Sequence, residues 1–567
     1  MDCPDGKGWY SLGINPALEE LGKNEYTFEL KKYPGHPVEL TKNEEYAYGT
    51  CSSKTENLDQ AVYKHRPKSS VLSKPKHSKP LIILNLTLDS VSRRFFYRKL
   101  SKTVEFLNNL QGYTAFDFKI HNVMGEWSAS NVVPQVCGDI LFKMHRERIY
   151  EDLFYDNSLW KYANDSGFAT MFIEEGCTDD LSKYLGRRLR VDHIVTSFYC
   201  AAGKFSGFKN NLPDQRCIGH HNSHVYVYNY ISEFSKNYKG IHQWIYSHIN
   251  TAHEKSGTVI NTLDLDTLEF LKSYLQENKD SQVVVFLTGD HGMRYGDWFK
   301  KVDGAHEHRL PLGVVIASDS LLESIEGVYD TLTHNSRRLT SKLDLYTSQL
   351  HLVAGTKKHI TRDSKDYLKL KSTTSREYKP ISLFLEKVPN NRTCEDVKIP
   401  SFWCSCLKMQ EVKETEYPEF IYKIAQEVVY QINEETNSPK TSPYSHICQK
   451  LSLKEITKLQ VLATKEEYYK MQFTVNESDS ALFETVVLVT SKKYNARNIN
   501  EAYPFYPYFF RGKNFKVMYI RRVDSYAGVC EDLCKAKMIE AELCICHPLE
   551  YILEKEPHLK NYLGTSY

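Results

Sequence analysis

Two apolar runs that each end at an aspartate constrain this chain more than any other feature. Leu81-Ile-Ile-Leu-Asn-Leu-Thr-Leu-Asp89 has the length of a strand and lacks the alternation of a half-solvated sheet. Gln282-Val-Val-Val-Phe-Leu-Thr288 repeats the pattern and leads through Gly289 into Asp290-His291-Gly292. Such runs predict parallel strands buried on both faces. Phe168–Ile173 and Leu312–Ala317 read as further strands, and Thr103–Leu110 and Leu263–Leu275 as helices, so the fold class is α/β, built on βαβ units.

The chain has 567 residues, and at roughly 100 to 200 residues per domain it holds more than one core. Residues 1–78 are polar, rich in Lys and Pro, and read as a Cys-containing lead-in and linker. Residues 79–390 form the α/β domain, and 391–567 a Cys-rich C-terminal region with a helix near 416–434. The net charge is +2, so no global field favours nucleic acid or an acidic ligand. Fourteen cysteines, most of them outside the central region, favour disulfides and an oxidising compartment. A zinc knuckle at Cys404-x-Cys406 and Cys544-x-Cys546 is the less favoured alternative. Asn164, Asn391 and Asn476 head glycosylation tripeptides, whereas Asn85 sits in an apolar run where a glycan has no room. No basic-then-apolar signal follows Met1, so an extracellular or lumenal location needs a leader or membrane anchor beyond these residues.

In open α/β sheets ligands bind beyond the carboxyl ends of strands, so Asp89, Asp290 and His291 are candidate ligands of a divalent metal. Zinc is the first choice and manganese the second. Gly292 lets the backbone turn beside the ion. Between the strand ends, Gly125-Glu-Trp-Ser-Ala-Ser-Asn131 offers Ser128 as a metal-bound nucleophile, with Ser130 competing for the same role. His253, His306 and His308 are candidates to neutralise a transferred group or protonate a leaving group. Segments 177–222 and 293–307 are candidate pocket walls. The first holds Asp192, His193, His220, His221 and His224, for which surface placement is the safer expectation.

Asp89-Ser-Val-Ser-Arg93, the Gly125–Gly138 segment, Gly289-Asp-His-Gly292 with Arg294, Arg309-Leu-Pro311 and Cys394 to Cys406 together resemble a family of animal extracellular proteins known as domain of unknown function 229. The resemblance implies an alkaline-phosphatase-like and sulfatase-like core sheet with flanking helices. It also implies that Asp89, Ser128, Asp290 and His291 hold one metal, while His253 and either His306 or His308 hold the substrate or a second metal. The chain departs from the pattern around Ser128, which replaces a threonine next to Trp127 and lacks the proline that follows it in the family, and at Ile249, which replaces an aspartate four residues before His253. No formylglycine-type sequence is present, which disfavours sulfate esters. The function this implies is a metal-dependent phosphoryl-group hydrolase or transferase. Its substrate would be a phosphorylated small molecule, lipid head group or glycan, with no nucleic-acid partner. The rival reading is a catalytically silent extracellular binding protein that keeps the fold.

Overall fold

The computed structural model describes residues 8–13, 31–41, 44–52, 57–138, 157–177, 191–195, 197–205, 208, 216–299, 304–373, 380–436, 446–463, 467–489, 515–524, 529–536, 539 and 541–562. The chain divides into two compact units. The first comprises Met1–Leu141, Ile149–Met293 and His306–Ser405, and the second Phe142–Arg148, Arg294–Ala305 and Cys406–Tyr567.

A seven-stranded sheet forms the centre of the first unit. Its strands in chain order are β1 (Leu81–Leu88), β2 (Tyr113–Asp117), β3 (Ala169–Glu174), β4 (His193–Val195), β5 (Gln243–Ile249), β6 (Gln282–Gly289) and β7 (Gly313–Ser318). They lie in the order β2-β7-β6-β1-β5-β3-β4. β6, β1, β5, β3 and β4 are parallel, and β7 runs antiparallel to both its neighbours. Every residue of β1 is buried. Ile82, Leu84, Leu86 and Leu88 face one apolar layer, while Leu81 and Ile83 face the other, which explains the unbroken apolar run.

Helices α2 (Ser128–Cys137) and α5 (Lys342–Gly355) cover the second face, together with Trp244, Tyr246, Val284 and Phe286. Helix α3 (Thr262–Glu277) covers the first through Leu263, Phe270, Leu271 and Tyr274. Short helices α1 (Arg93–Lys99) and α4 (Gly304–Arg309) follow β1 and precede β7. The lead-in, weakly periodic in sequence, contributes a four-stranded antiparallel sheet from Lys31–Lys32, Gly8–Gly13, Tyr46–Ser52 and Asn57–Tyr63.

In the second unit α6 (Glu419–Thr436) presents Ile421, Ala425, Val428 and Ile432 at helical spacing to a five-stranded antiparallel sheet. Its strands are Gln410–Glu411, Leu453–Ala463, Glu467–Val475, Ser478–Val489 and Phe515–Arg522. Disulfides join Cys177 to Cys200, Cys394 to Cys404, Cys448 to Cys544 and Cys530 to Cys546. These bonds take up Cys404, Cys544 and Cys546, three of the four cysteines a zinc knuckle would need. No helix of the described residues is long and apolar enough to cross a membrane.

Candidate metal centre

Strand register builds the site. Gly289 is opposite Leu88, and Ile249 is opposite Leu88 on the other side, so the residues after β1, β5 and β6 emerge in one row. Alternation then decides which side chains face each other. Trp244 and Tyr246 of β5, and Val284 and Phe286 of β6, face the α2–α5 layer. The same two-residue period carries His248 and Asp290 to that side, where Asp89 also lies.

Asp89, His248 and Asp290 are all buried, and one donor atom from each lies within 4.8 Å of the others. His248 Nε2 is 3.3 Å from Asp89 Oδ2. The other Asp89 oxygen accepts from Ser90 Oγ at 2.9 Å. Asp290 Oδ1 accepts from the amides of Ser90 and His291 at 2.9 and 2.7 Å. Its second oxygen, also buried, accepts no hydrogen bond among the described residues. His291 Nε2 is 3.4 Å from that oxygen, while its Nδ1 donates to the Gly292 carbonyl at 2.8 Å, so Nε2 is the ring nitrogen turned toward the carboxylates. Two carboxylates, two imidazole nitrogens and a buried oxygen without a donor fit a divalent cation with borderline preferences such as zinc.

The buried groups of this row act strongly on one another. Burial alone would push Asp89 up, but the charges of His253, His248 and His291 outweigh it and hold the carboxyl well below the usual range. Burial pulls His248 down, yet its hydrogen bond to Asp89 and the charges of Asp89, Asp290 and Glu174 push it up to about 9. A buried lysine stands behind the row: Lys342, the first residue of α5, donates to the Gly289 carbonyl at 2.5 Å. Burial lowers its ammonium to about 7, against the opposing pull of Asp290.

The backbone is shaped for this arrangement. Ser90 holds φ at 61°, in the left-handed region, which turns the chain sharply after Asp89 and lets the Ser90 amide reach Asp290. The need for Gly292 differs from the sequence expectation, since it is not among the residues of positive φ. A side chain there would collide with the backbone of Glu307 and His308, so close approach fixes the glycine. Gly289 is fixed in the same way by the Val91 carbonyl.

Ser128 is half-buried at the first position of α2, the helix that packs on the ligand-bearing face. Its hydroxyl makes no hydrogen bond among the described residues. Ser130 is different: its Oγ donates to the Trp127 carbonyl at 2.6 Å and lies 3.2 Å from the Trp127 amide, closing the helix start. Asn131, fully buried, accepts from the Met124 and Gly125 amides and donates to the Gly125 and Trp127 carbonyls. The turn that presents Ser128 is thus tied to the helix it begins.

The candidate histidines separate. His253 is half-buried, with its amide on the Asn250 carbonyl, and its charge acts on Asp89. His308 is buried, its ring centroid 5.4 Å from that of His291 and its Nε2 3.0 Å from the Glu126 carbonyl. His306 is exposed. Among the proposed wall residues, His193 and His224 are buried, contrary to the surface placement expected. His193 bonds Tyr238, and His224 bridges Thr251 and Asp266. Asp192 bonds Lys74 and Thr170, while His220 and His221 are exposed. Much of 177–222 lies outside the described residues. Sequence reasoning missed His248, Lys342 and the organising role of Asn131.

No curated protein matches this chain. Solved structures show low-level likeness. The C-terminal periplasmic domain of phosphoethanolamine transferase EptC from Campylobacter jejuni is 14% identical with a TM-score of 0.34, over 55% of this chain and 97% of that one. A protein in the alkaline phosphatase superfamily from Vibrio parahaemolyticus is 10% identical with a TM-score of 0.33, over 87% and 90%. The lipoteichoic acid synthase LtaP from Listeria monocytogenes is 12% identical with a TM-score of 0.30, over 44% and 69%. A model of the family described as "Protein of unknown function (DUF229)" matches residues 19–457, and the chain belongs to that family.

Proposed function

We propose that this protein is a metal-dependent phosphoryl-group hydrolase or transferase with Ser128 as nucleophile. The observation that carries the reading is the buried Asp89, His248 and Asp290 cluster, completed by His291 Nε2, on the sheet face where α2 begins. Two carboxylates and imidazoles at this spacing serve a cation better than a stable apolar core, because burying such groups without a partner is costly. When bound, the cation supplies Lewis-acid polarisation and eases loss of a hydroxyl proton.

The chain's own residues then divide the work. Asp89, His248, Asp290 and His291 hold the ion. Ser128 Oγ attacks phosphorus, forming the seryl ester as the bond to the leaving oxygen breaks, and water or an acceptor hydroxyl later takes the phosphoryl group from Ser128. His253 and His308 flank the ligand row and provide positive charge or a proton for the departing oxygen. An extracellular or lumenal location accompanies this reading, supported by four disulfides among the described residues. Asn391 and Asn476 are exposed and open to glycosylation, while Asn85 is fully buried.

The test is turnover of phosphomonoesters, phosphodiesters and phosphoethanolamine lipids by the zinc-loaded protein, with mass spectrometry of the quenched reaction. Phosphate or a phosphoester on Ser128, absent in Ser128→Ala, is expected. No turnover and no adduct on any of these substrates would favour a silent binding protein.

A further inference from the structure

The two histidines of α4 turn opposite ways. His308 is buried against His291, whereas His306 lines an open cleft of about 170 Å³ together with Arg93, Arg94, Lys119, Glu307 and Leu310. His306 and His308 are about 3 Å apart along the helix axis but on opposite sides of it, so the cleft and the His291 side of the ligand row flank the same helix.

The cleft is cationic and firmly framed. Ser92 Oγ donates to Glu307 at 2.9 Å, the Arg93 amide donates to the Leu310 carbonyl at 3.0 Å, and Ser92 pairs with Pro311. Asp89 lies only four residues before Arg93 in the same corner. Both carboxylates here already have arginine partners. Asp117 holds Arg93 through both oxygens, and Glu307 takes Arg98 at 2.7 and 2.8 Å. Lys119 is exposed and has no carboxylate partner among the described residues, so its charge is left for a ligand. An ammonium group on a fixed frame pairs with phosphate or carboxylate, and here that group is Lys119.

From this geometry we infer that the cleft takes a second anionic group of the substrate. The inference rests on the proposed metal centre and narrows its substrates to phosphoesters that carry a further phosphate or carboxylate. That group can belong to a soluble metabolite or to an anionic lipid.

Titration calorimetry of the zinc-loaded Ser128→Ala chain, in which turnover is expected to be too slow to interfere, separates these ideas. Glucose 1,6-bisphosphate is expected to bind about tenfold more tightly than glucose 1-phosphate. Lys119→Glu, an exposed change that should leave the thermal transition in place, is expected to reduce that preference to near unity. In a second arm, co-sedimentation with phosphatidylcholine vesicles that depends on added phosphatidic acid and on Lys119 assigns the group to a lipid. A preference confined to the sugars assigns it to a soluble compound. A preference that persists in Lys119→Glu, or no preference and no vesicle binding, overturns the inference. Asp290→Asn keeps the two readings apart. If it weakens both sugars while Lys119→Glu does nothing, the metal centre stands and the cleft falls. If Lys119→Glu abolishes the preference while Asp290→Asn changes nothing, the cleft still binds an anion, but the metal centre falls and with it the reading of that anion as a second group of the substrate.

Discussion

Two serines two residues apart are placed differently. Ser130 is spent on the helix start, so Ser130→Ala should cost about 1 kcal/mol of stability in denaturant titration and leave chemistry largely intact. Ser128 has no such bond, and Ser128→Ala should lower turnover by at least about a hundredfold with metal content unchanged. Equal losses from both substitutions would contradict that division. His248→Ala removes one donor and should weaken zinc binding by at least about tenfold in competition with a chelator. Asp89 and Asp290 were legible in the sequence only as a pair: one strand-end aspartate reads as well as a helix cap or turn former, but two buried strands that each end in one, the second followed by His291, point to a shared site. His248 was not: Gln-Trp-Ile-Tyr-Ser-His-Ile carries polar and aromatic side chains that hide a strand, and only register with β1 turns its histidine toward Asp89. His306 and His308 stayed equivalent until α4 buried one and exposed the other.

The central strands were readable for one physical reason, since covering a sheet on both faces demands apolar residues at consecutive positions. The antiparallel sheets at either end of the chain lack that signal. Glu467-Tyr-Tyr-Lys-Met-Gln-Phe-Thr-Val475 mixes charge with apolar residues because its neighbours satisfy the charge. Glu484, fully buried, meets Lys470 at 2.8 Å and Arg521 at 2.5 Å. Burial would push its carboxyl up, but the Arg521 and Lys470 charges hold it well below its ordinary value of 4.5. A carboxyl depressed on folding contributes stability that is complete above that value and is lost as pH falls toward the folded-state value. Acidification below about pH 4.5 should therefore weaken the wild type, and Glu484→Gln should show a flatter pH profile. The same variant should cost roughly 3 to 5 kcal/mol at neutral pH, because it leaves two buried cations with less compensation. Denaturant titration across pH measures both, and a profile as steep as wild type would contradict the assignment.

At the scale of the whole molecule, the disulfides and the proposed metal centre can be tested separately. Cys448 and Cys544 close a separation of 96 residues, and replacing both with serine should cost roughly 2 to 5 kcal/mol in reversible unfolding of the second unit. No loss would mean that this bond does not form in solution. The first unit turns on one question, whether the row of Asp89, His248, Asp290 and His291 holds an ion. Elemental analysis after incubation with zinc and removal of the excess answers it, with wild type run beside Asp290→Ala. About one tightly held zinc per wild-type chain and none in the variant is the expected result. No retained metal in the wild type, or equal retention in both, would contradict a metal centre at this sheet edge.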